Sequence, residues 1–341
     1  MANFASDNTA PVHPRVMEAL ARINDGNMPA YGHDPVTAAM QDAMRETFRA
    51  PEARVFPVFN GSACNGLALA RMMRPYESVL CHRQAHINND ECGLPEFYTG
   101  GKIVALDGDH ARISPDGIAA LVARTLDHAP HTSRVRAVSL TQSTELGTVY
   151  SVAELRAIAT VCRDNGLYLH MDGARLANAV AFLGCHPAEI AGEAGVDILS
   201  FGGTKNGAML AEATVIFNPA LAEDFAYIHK RAGQLPSKAR YVSAQWLALL
   251  DNGLWLDNGR RANAMAARLR DGLAERPGIG LLHPVEANEL FVSLPGRVAE
   301  RLLAAGHDFY HWPNEGDDAY RLVTSFTTTE AEVEAFLGDL G

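Results

Sequence analysis

Apolar positions along the chain form two kinds of segment: short continuous runs, and stretches in which they recur every three to four residues. Runs of four to eight apolar residues bounded by turn residues predict buried strands, and the longer recurrence predicts helices packed by one face. Helices are predicted over 14–24, 34–48, 62–73, 114–125, 152–165, 174–183 and 237–253. Strands are predicted over 54–59, 78–81, 102–106, 135–140, 167–171, the run ending near Phe201, and 213–217. Their alternation predicts an α/β fold with a mainly parallel central sheet. A long helix rich in arginine and alanine, 256–275, then bridges to a smaller α+β unit made of strands 289–294 and 320–324 and helices 296–305 and 330–340. The expected division is an N-terminal arm and large domain over 1–250, and a bridging helix and small domain over 251–341.

Composition narrows the partners. Lys+Arg number 29 against 40 Asp+Glu, a net charge of -11, and no basic block offers a footprint for nucleic acid or anionic lipid. No apolar run approaches the roughly 18 residues of a membrane span, and the first residues lack the cationic and apolar stretches of a secretory leader, so a cytoplasmic chain is expected. Five cysteines (Cys64, Cys81, Cys92, Cys162 and Cys185) include no Cys-x-x-Cys pair, which argues for reduced thiols over a disulfide framework or a zinc knuckle.

Ligands of open α/β sheets bind outside the carboxyl ends of the strands, and four features fall there. In "NGSACNGLALA" a strand gives way to Gly61 and to Ser62 at the start of a helix, where free N–H groups can hold an anion such as phosphate. The same residues read equally as a tight turn with Ser62 as N-cap. In "LYLHMDGARLANA", Asp172 ends an apolar strand, where a carboxylate can pair with a protonated ring nitrogen or cap the next helix; Arg175, one turn on, faces either the cleft or solvent. In "SFGGTKNG", Lys205 lies 33 residues after Asp172 at what should be the end of a neighbouring strand, with glycines that would let a flat ring approach the backbone. Such an amine suits Schiff-base formation, or is simply a surface charge. In "CHRQAHINNDECG", His82 and His86 are four apart, but Arg83 stands where a zinc-protease motif needs Glu, so no metal is expected; His86 suits a ring face or a base.

The order anion turn, histidine, strand-end aspartate, strand-end lysine resembles pyridoxal 5′-phosphate enzymes of fold type I, the aspartate aminotransferase-like fold. More closely, "SDNTAPVHP", "YGHDP", "NGSACN", "HINNDECG", "HMDGARLANA", "SFGGTKNG" and "YRLVTSF" together resemble the low-specificity L-threonine aldolases of the β-eliminating lyase group over almost the whole chain. The resemblance implies a lyase that cleaves L-threonine, L-allo-threonine or phenylserine-like substrates to glycine and an aldehyde. It implies that Lys205 holds the cofactor covalently, Asp172 keeps the ring nitrogen protonated, and His86 stacks on the ring and leads as the base near the substrate hydroxyl. Gly61 and Ser62 would bind the phosphate, and Ser6, Arg175 and Arg321 the substrate carboxylate. Lys238 in "LPSKAR" would be a phosphate-binding base supplied across a homodimer or homotetramer interface, with Tyr31 also reaching across.

Many members of that family carry a second histidine after the strand that here reads "SLTQSTELGTVY", and this chain offers Thr144 and Glu145 instead. Other readings remain: transamination or β-elimination with the same cofactor residues, an inactive cofactor-binding or regulatory protein, and a metal-dependent hydrolase through His82 and His86.

Overall fold

The computed structural model describes residues 1–341. Seven strands form the main sheet: β1 Arg54–Val58, β2 Glu77–His82, β3 Lys102–Leu106, β4 Arg134–Thr141, β5 Tyr168–Gly173, β6 Ile198–Gly202 and β7 Glu212–Ile216, in the order β1-β7-β6-β5-β4-β2-β3. The pairs β2–β3, β2–β4, β4–β5 and β5–β6 are parallel, while β7 runs antiparallel to both of its neighbours. β2, β6 and β7 are buried along their whole length because helices cover both faces, which is why they read as continuous apolar runs and not as alternating ones.

A second, antiparallel sheet has the order β10-β11-β9-β8, with β8 Gly280–Leu281, β9 Glu289–Ser293, β10 Tyr310–His311 and β11 Ala319–Val323. The helix Leu254–Ala274 joins the two: Leu254 and Trp255 pack in the main core, and Ala266, Leu269 and Leu273 in the core under the small sheet. Ala2 and Phe4 pack into that second core as well, and Val323 N–H donates to Phe4 O at 2.8 Å.

The expected elements are present with shifts at their ends. Helix 174–183 starts only at Leu176, because Asp172 Oδ1 accepts from Ala174 N–H at 3.0 Å and turns the chain first. Helix 237–253 starts at Arg240 and ends at Leu250. Four helices escape periodicity, His86–Asn89, Leu94–Thr99, Pro219–Ala222 and Phe225–Arg231, each two turns or shorter.

Candidate active site

Register sets the site. Thr141 pairs with Asp172 across β4–β5 and Asp172 with Ser200 across β5–β6, so the carboxyl ends of three parallel strands lie side by side. Lys205 follows β6 in the short turn Thr204–Asn206. That turn hangs on Glu212, whose carboxylate accepts from Gly203 N–H at 3.0 Å and Thr204 N–H at 3.3 Å; burial pushes this carboxyl up to about 7. The glycines before Lys205 serve a different purpose from the one expected. A Cβ on Gly202 would stand 2.7 Å from Ala174 Cα, and one on Gly203 2.6 Å from Ala211 O. They admit neighbouring protein backbone, not a ring.

Gly61 and Ser62 open the helix Gly61–Met72, but the cap is Asn60, whose Oδ1 accepts from Ala63 N–H at 2.9 Å. Ser62 is therefore not the N-cap. The N–H groups of Gly61 and Ser62 belong to the first turn, which no helical carbonyl satisfies, and both residues line a cavity of about 240 Å³ together with Asp172 and Lys205.

Two residues that sequence reasoning passed over organise this cavity. Asn65 Nδ2 donates to Asp172 Oδ2 at 2.8 Å and to Glu91 Oε1 at 2.8 Å, and Glu91 Oε1 lies 2.9 Å from His86 Nδ1. The Glu91 contact raises the proton affinity of His86, so its imidazole holds charge to higher pH than usual. Burial pushes Glu91 up as well, against the hydrogen bonds from His86 and Asn65. The available signals were an asparagine one turn into the anion-site helix and a glutamate five residues beyond His86. Neither says what it faces.

Glu145 stands behind His86. Its Oε1 accepts from Thr141 Oγ1 at 2.6 Å and from His86 N–H at 2.8 Å, and burial pushes the carboxyl up to about 7. It lines both this cavity and an adjoining one of about 350 Å³, and His86, Arg175 and Lys205 also lie at the junction.

Ser6, Glu289 and Arg321 line the second chamber. Arg175 is tied within the protein: Nε and one terminal nitrogen donate to the two Asp7 oxygens at 2.7 and 3.0 Å, and the other lies 3.2 Å from Glu289. Burial opposes the Arg175 charge, but the two carboxylates more than offset it. Burial likewise pushes Asp7 up, and the Arg175 charge reverses this and holds it below its ordinary value. Arg321 keeps spare donors. One terminal nitrogen donates to Ala5 O at 3.1 Å, the guanidinium lies 4.6 Å from the Trp312 ring, and its Nε is buried without a partner. Ser6 Oγ accepts from Asn8 N–H at 3.2 Å.

Tyr31 and Lys238 line neither chamber. They neighbour one another on the surface, where Tyr31 N–H donates to Ser237 O at 2.9 Å. His82 is committed to the backbone, with Nδ1 accepting from Gln84 N–H at 3.1 Å and Nε2 at 3.0 Å from Gly108 O, so it has no nitrogen free to share a metal with His86.

The donor set of the first chamber fits pyridoxal 5′-phosphate. It offers open N–H groups for a phosphate, a carboxylate for a ring nitrogen and a primary amine for a carbonyl. Ser143 Oγ and Asn65 Oδ1, both in its wall, are buried without partners in the protein.

Comparison with known proteins agrees with this chemistry. The model of the beta-eliminating lyase family matches residues 3–295. The low specificity L-threonine aldolase of Pseudomonas aeruginosa is 44% identical over 338 residues, 99% of this chain and 96% of that protein. That of Saccharomyces cerevisiae is 26% identical, over 86% of this chain and 74% of its own length. The solved structure of Leishmania major threonine aldolase superposes with a TM-score of 0.94 at 30% identity, covering 100% of this chain and 98% of that one. Aspartate aminotransferase of Thermus thermophilus shares the fold, with a TM-score of 0.73 at 17% identity over 99% of this chain and 90% of that chain. A family match across most of the chain, together with the first of these relatives over nearly its full length, establishes that the chain belongs to the beta-eliminating lyase family, and to its threonine aldolase branch.

Proposed function

We propose that this lyase cleaves L-threonine, L-allo-threonine and related β-hydroxy-α-amino acids such as phenylserine to glycine and an aldehyde, with pyridoxal 5′-phosphate. The observation that carries the reading is the placing of Asp172 and Lys205 at adjacent strand ends in one chamber, with Arg321 in the wall of the chamber beside it. When bound, the cofactor supplies a protonated conjugated ring that draws off the electron pair of the bond being broken.

The protein's residues divide the remaining work. Gly61 and Ser62 would hold the phosphate through first-turn N–H groups, and Asp172 would accept the ring N–H. Lys205 would hold the cofactor's carbonyl group through its amine. Arg321 takes the substrate carboxylate as a two-pronged donor, assisted by Ser6 and by Arg175 on the far side of Glu289. Fixing both carboxylate and amine fixes rotation about the bond between them, which selects Cα–Cβ over Cα–H or Cα–COO⁻ for cleavage. His86 would lie against the ring face.

We assign the chain to a cytoplasmic homodimer or homotetramer whose sites are completed by a neighbour's Lys238 and Tyr31. No helix is long and apolar enough to cross a membrane. The test is aldehyde release from L-threonine and from L-allo-threonine, coupled to an NADH-dependent alcohol dehydrogenase, beside a Lys205→Ala control. Aldehyde from the wild type alone is expected. A keto acid with no glycine would move the assignment to transamination.

A further inference from the structure

A substrate held by its amine near Lys205 and its carboxylate at Arg321 spans the junction of the two chambers, which His86 and Glu145 both line. The other acids of the second chamber are spoken for: Glu289 faces Arg175 and Arg321, and Asp90 is exposed at the end of the helix His86–Asn89. His86 turns Nδ1 to Glu91, a contact that commits that nitrogen and raises the ring's proton affinity. Glu145 is built the other way. Its Oε1 is pinned by two donors, the Thr141 hydroxyl and the His86 N–H, which lock the side chain in place. Its Oε2 has no hydrogen-bond partner in another residue, and the side chain lines both chambers.

We propose that Glu145 is the catalytic base that accepts the β-hydroxyl proton of the substrate, through Oε2. In that step the O–H bond breaks and its electron pair becomes the second C–O bond of the aldehyde. The Cα–Cβ bond breaks with its pair left on Cα, conjugated to the bound cofactor, and the proton ends on Glu145. The proposal rests on the aldol-cleavage reading above. Burial raises the basicity of this carboxylate above that of an exposed one, which suits a base working near neutral pH. The titratable and charged groups around it are Cys81 on β2, Tyr150, His86, Asp172, Arg175 and Lys205. The base must be ionised to act, so cleavage should rise with pH through about 7.

The experiment compares wild-type holoenzyme with Glu145→Gln and Glu145→Asp. Glycine lacks the β-hydroxyl, so its affinity, read from the change it causes in the cofactor's visible spectrum, should stay within about twofold in Glu145→Gln, while aldehyde release falls by about 10²–10⁴-fold and the acid limb of kcat/KM disappears. Glu145→Asp should recover part of the rate. Cleavage by Glu145→Gln within about threefold of wild type with the acid limb intact would overturn the proposal. So would a parallel loss of glycine binding, which would make Glu145 only an anchor for His86. If Glu145→Gln does not fold, Thr141→Val removes a hydrogen bond that stabilises the ionised carboxylate and should move the acid limb to higher pH; an unmoved limb overturns the proposal as well. A wild type that binds glycine and releases no aldehyde from any β-hydroxy amino acid would sink the aldol reading itself, an outcome distinct from an active wild type with an unaffected variant.

Discussion

Asn65 Nδ2 lies 2.8 Å from Asp172 Oδ2, and the same nitrogen also donates to Glu91. One amide thus holds apart and satisfies two buried carboxylates, Asp172 from the end of β5 and Glu91 from beside His86. Replacing it leaves Asp172 Oδ2 without a donor and Glu91 Oε1 with His86 alone, and a stranded buried polar group costs about 1–3 kcal/mol. Asn65→Leu should therefore lower the unfolding free energy measured in urea by an amount in that range. It should also loosen the cofactor, because Asp172 loses the donor that sets its carboxylate. Dialysis followed by visible absorbance measures the second effect, and retention equal to wild type would show that Asp172 is oriented by something else.

The pair Asp7–Arg175 joins the N-terminal arm to the strand-end turn after Asp172, and both side chains are almost fully buried. Breaking a buried pair by removing one partner leaves an uncompensated charge, typically at about 3–5 kcal/mol. Glu289 remains on the other side of Arg175 and should keep the loss for Asp7→Asn at the low end, about 3 kcal/mol. The sign with pH follows from Asp7 having its proton affinity lowered in the fold. Its contribution is complete above the ordinary carboxylate value of 3.8 and is lost as pH falls through the lower folded value. Urea unfolding of wild type and variant should differ by a constant amount from pH 5 to pH 8; a difference that grows across that range would point to another group.

His170 lies on β5 two residues before Asp172, sealed between Ser139 Oγ at 2.8 Å and Ser200 Oγ at 3.0 Å, and burial lowers its pKa from 6.5 to about 4. The folded state keeps it neutral, whereas the unfolded chain protonates it. Its contribution is therefore present above pH 6.5 and is lost as pH falls from 6.5 toward 4, about 3 kcal/mol in all. A His170→Gln variant should unfold with a flatter pH dependence across that interval. Parallel curves for the two proteins would assign the acid sensitivity to the carboxylates alone.

Most of the fold was legible because most elements exceed two turns or four apolar residues, which is enough for a period to register. The direction of β7 was not, since Glu212–Ile216 is buried on both faces and an apolar run reads the same in either direction. Lys205, Asp172 and Gly61 stand out at strand ends, where a charge or a glycine is conspicuous against its apolar run. Asn65, Glu91 and Glu212 do not, because each takes its meaning from a partner supplied by another part of the chain; Glu145 is conspicuous only where relatives carry a histidine, and nothing in the sequence says that it faces His86. Asn65 meets Asp172 across 107 positions of sequence, and Glu145 meets His86 across 59. A polar residue within a helix or loop reads as solvated until the fold puts something opposite it.

Tyr31 and Lys238 raise the last question, since neither reaches its own chain's cavity. Tyr31 N–H donates to the carbonyl of Ser237, the residue before Lys238, Lys230 Nζ sits 4.7 Å from the centre of the Tyr31 ring, and Tyr31 is 48% exposed. A role for Lys238 at the phosphate therefore requires a second chain to present it. Lys238→Ala should then weaken cofactor retention without lowering the urea midpoint of the chain, because an exposed lysine supports nothing locally. Co-expression gives a sharper test. A mixed dimer of Lys205→Ala and Lys238→Ala chains carries both defects in one site and none in the other, so random pairing should restore activity to about a quarter of the wild-type level. If Lys238 acted within its own chain, every site in the mixture would carry one defect, and mixing would recover nothing beyond what each variant shows alone.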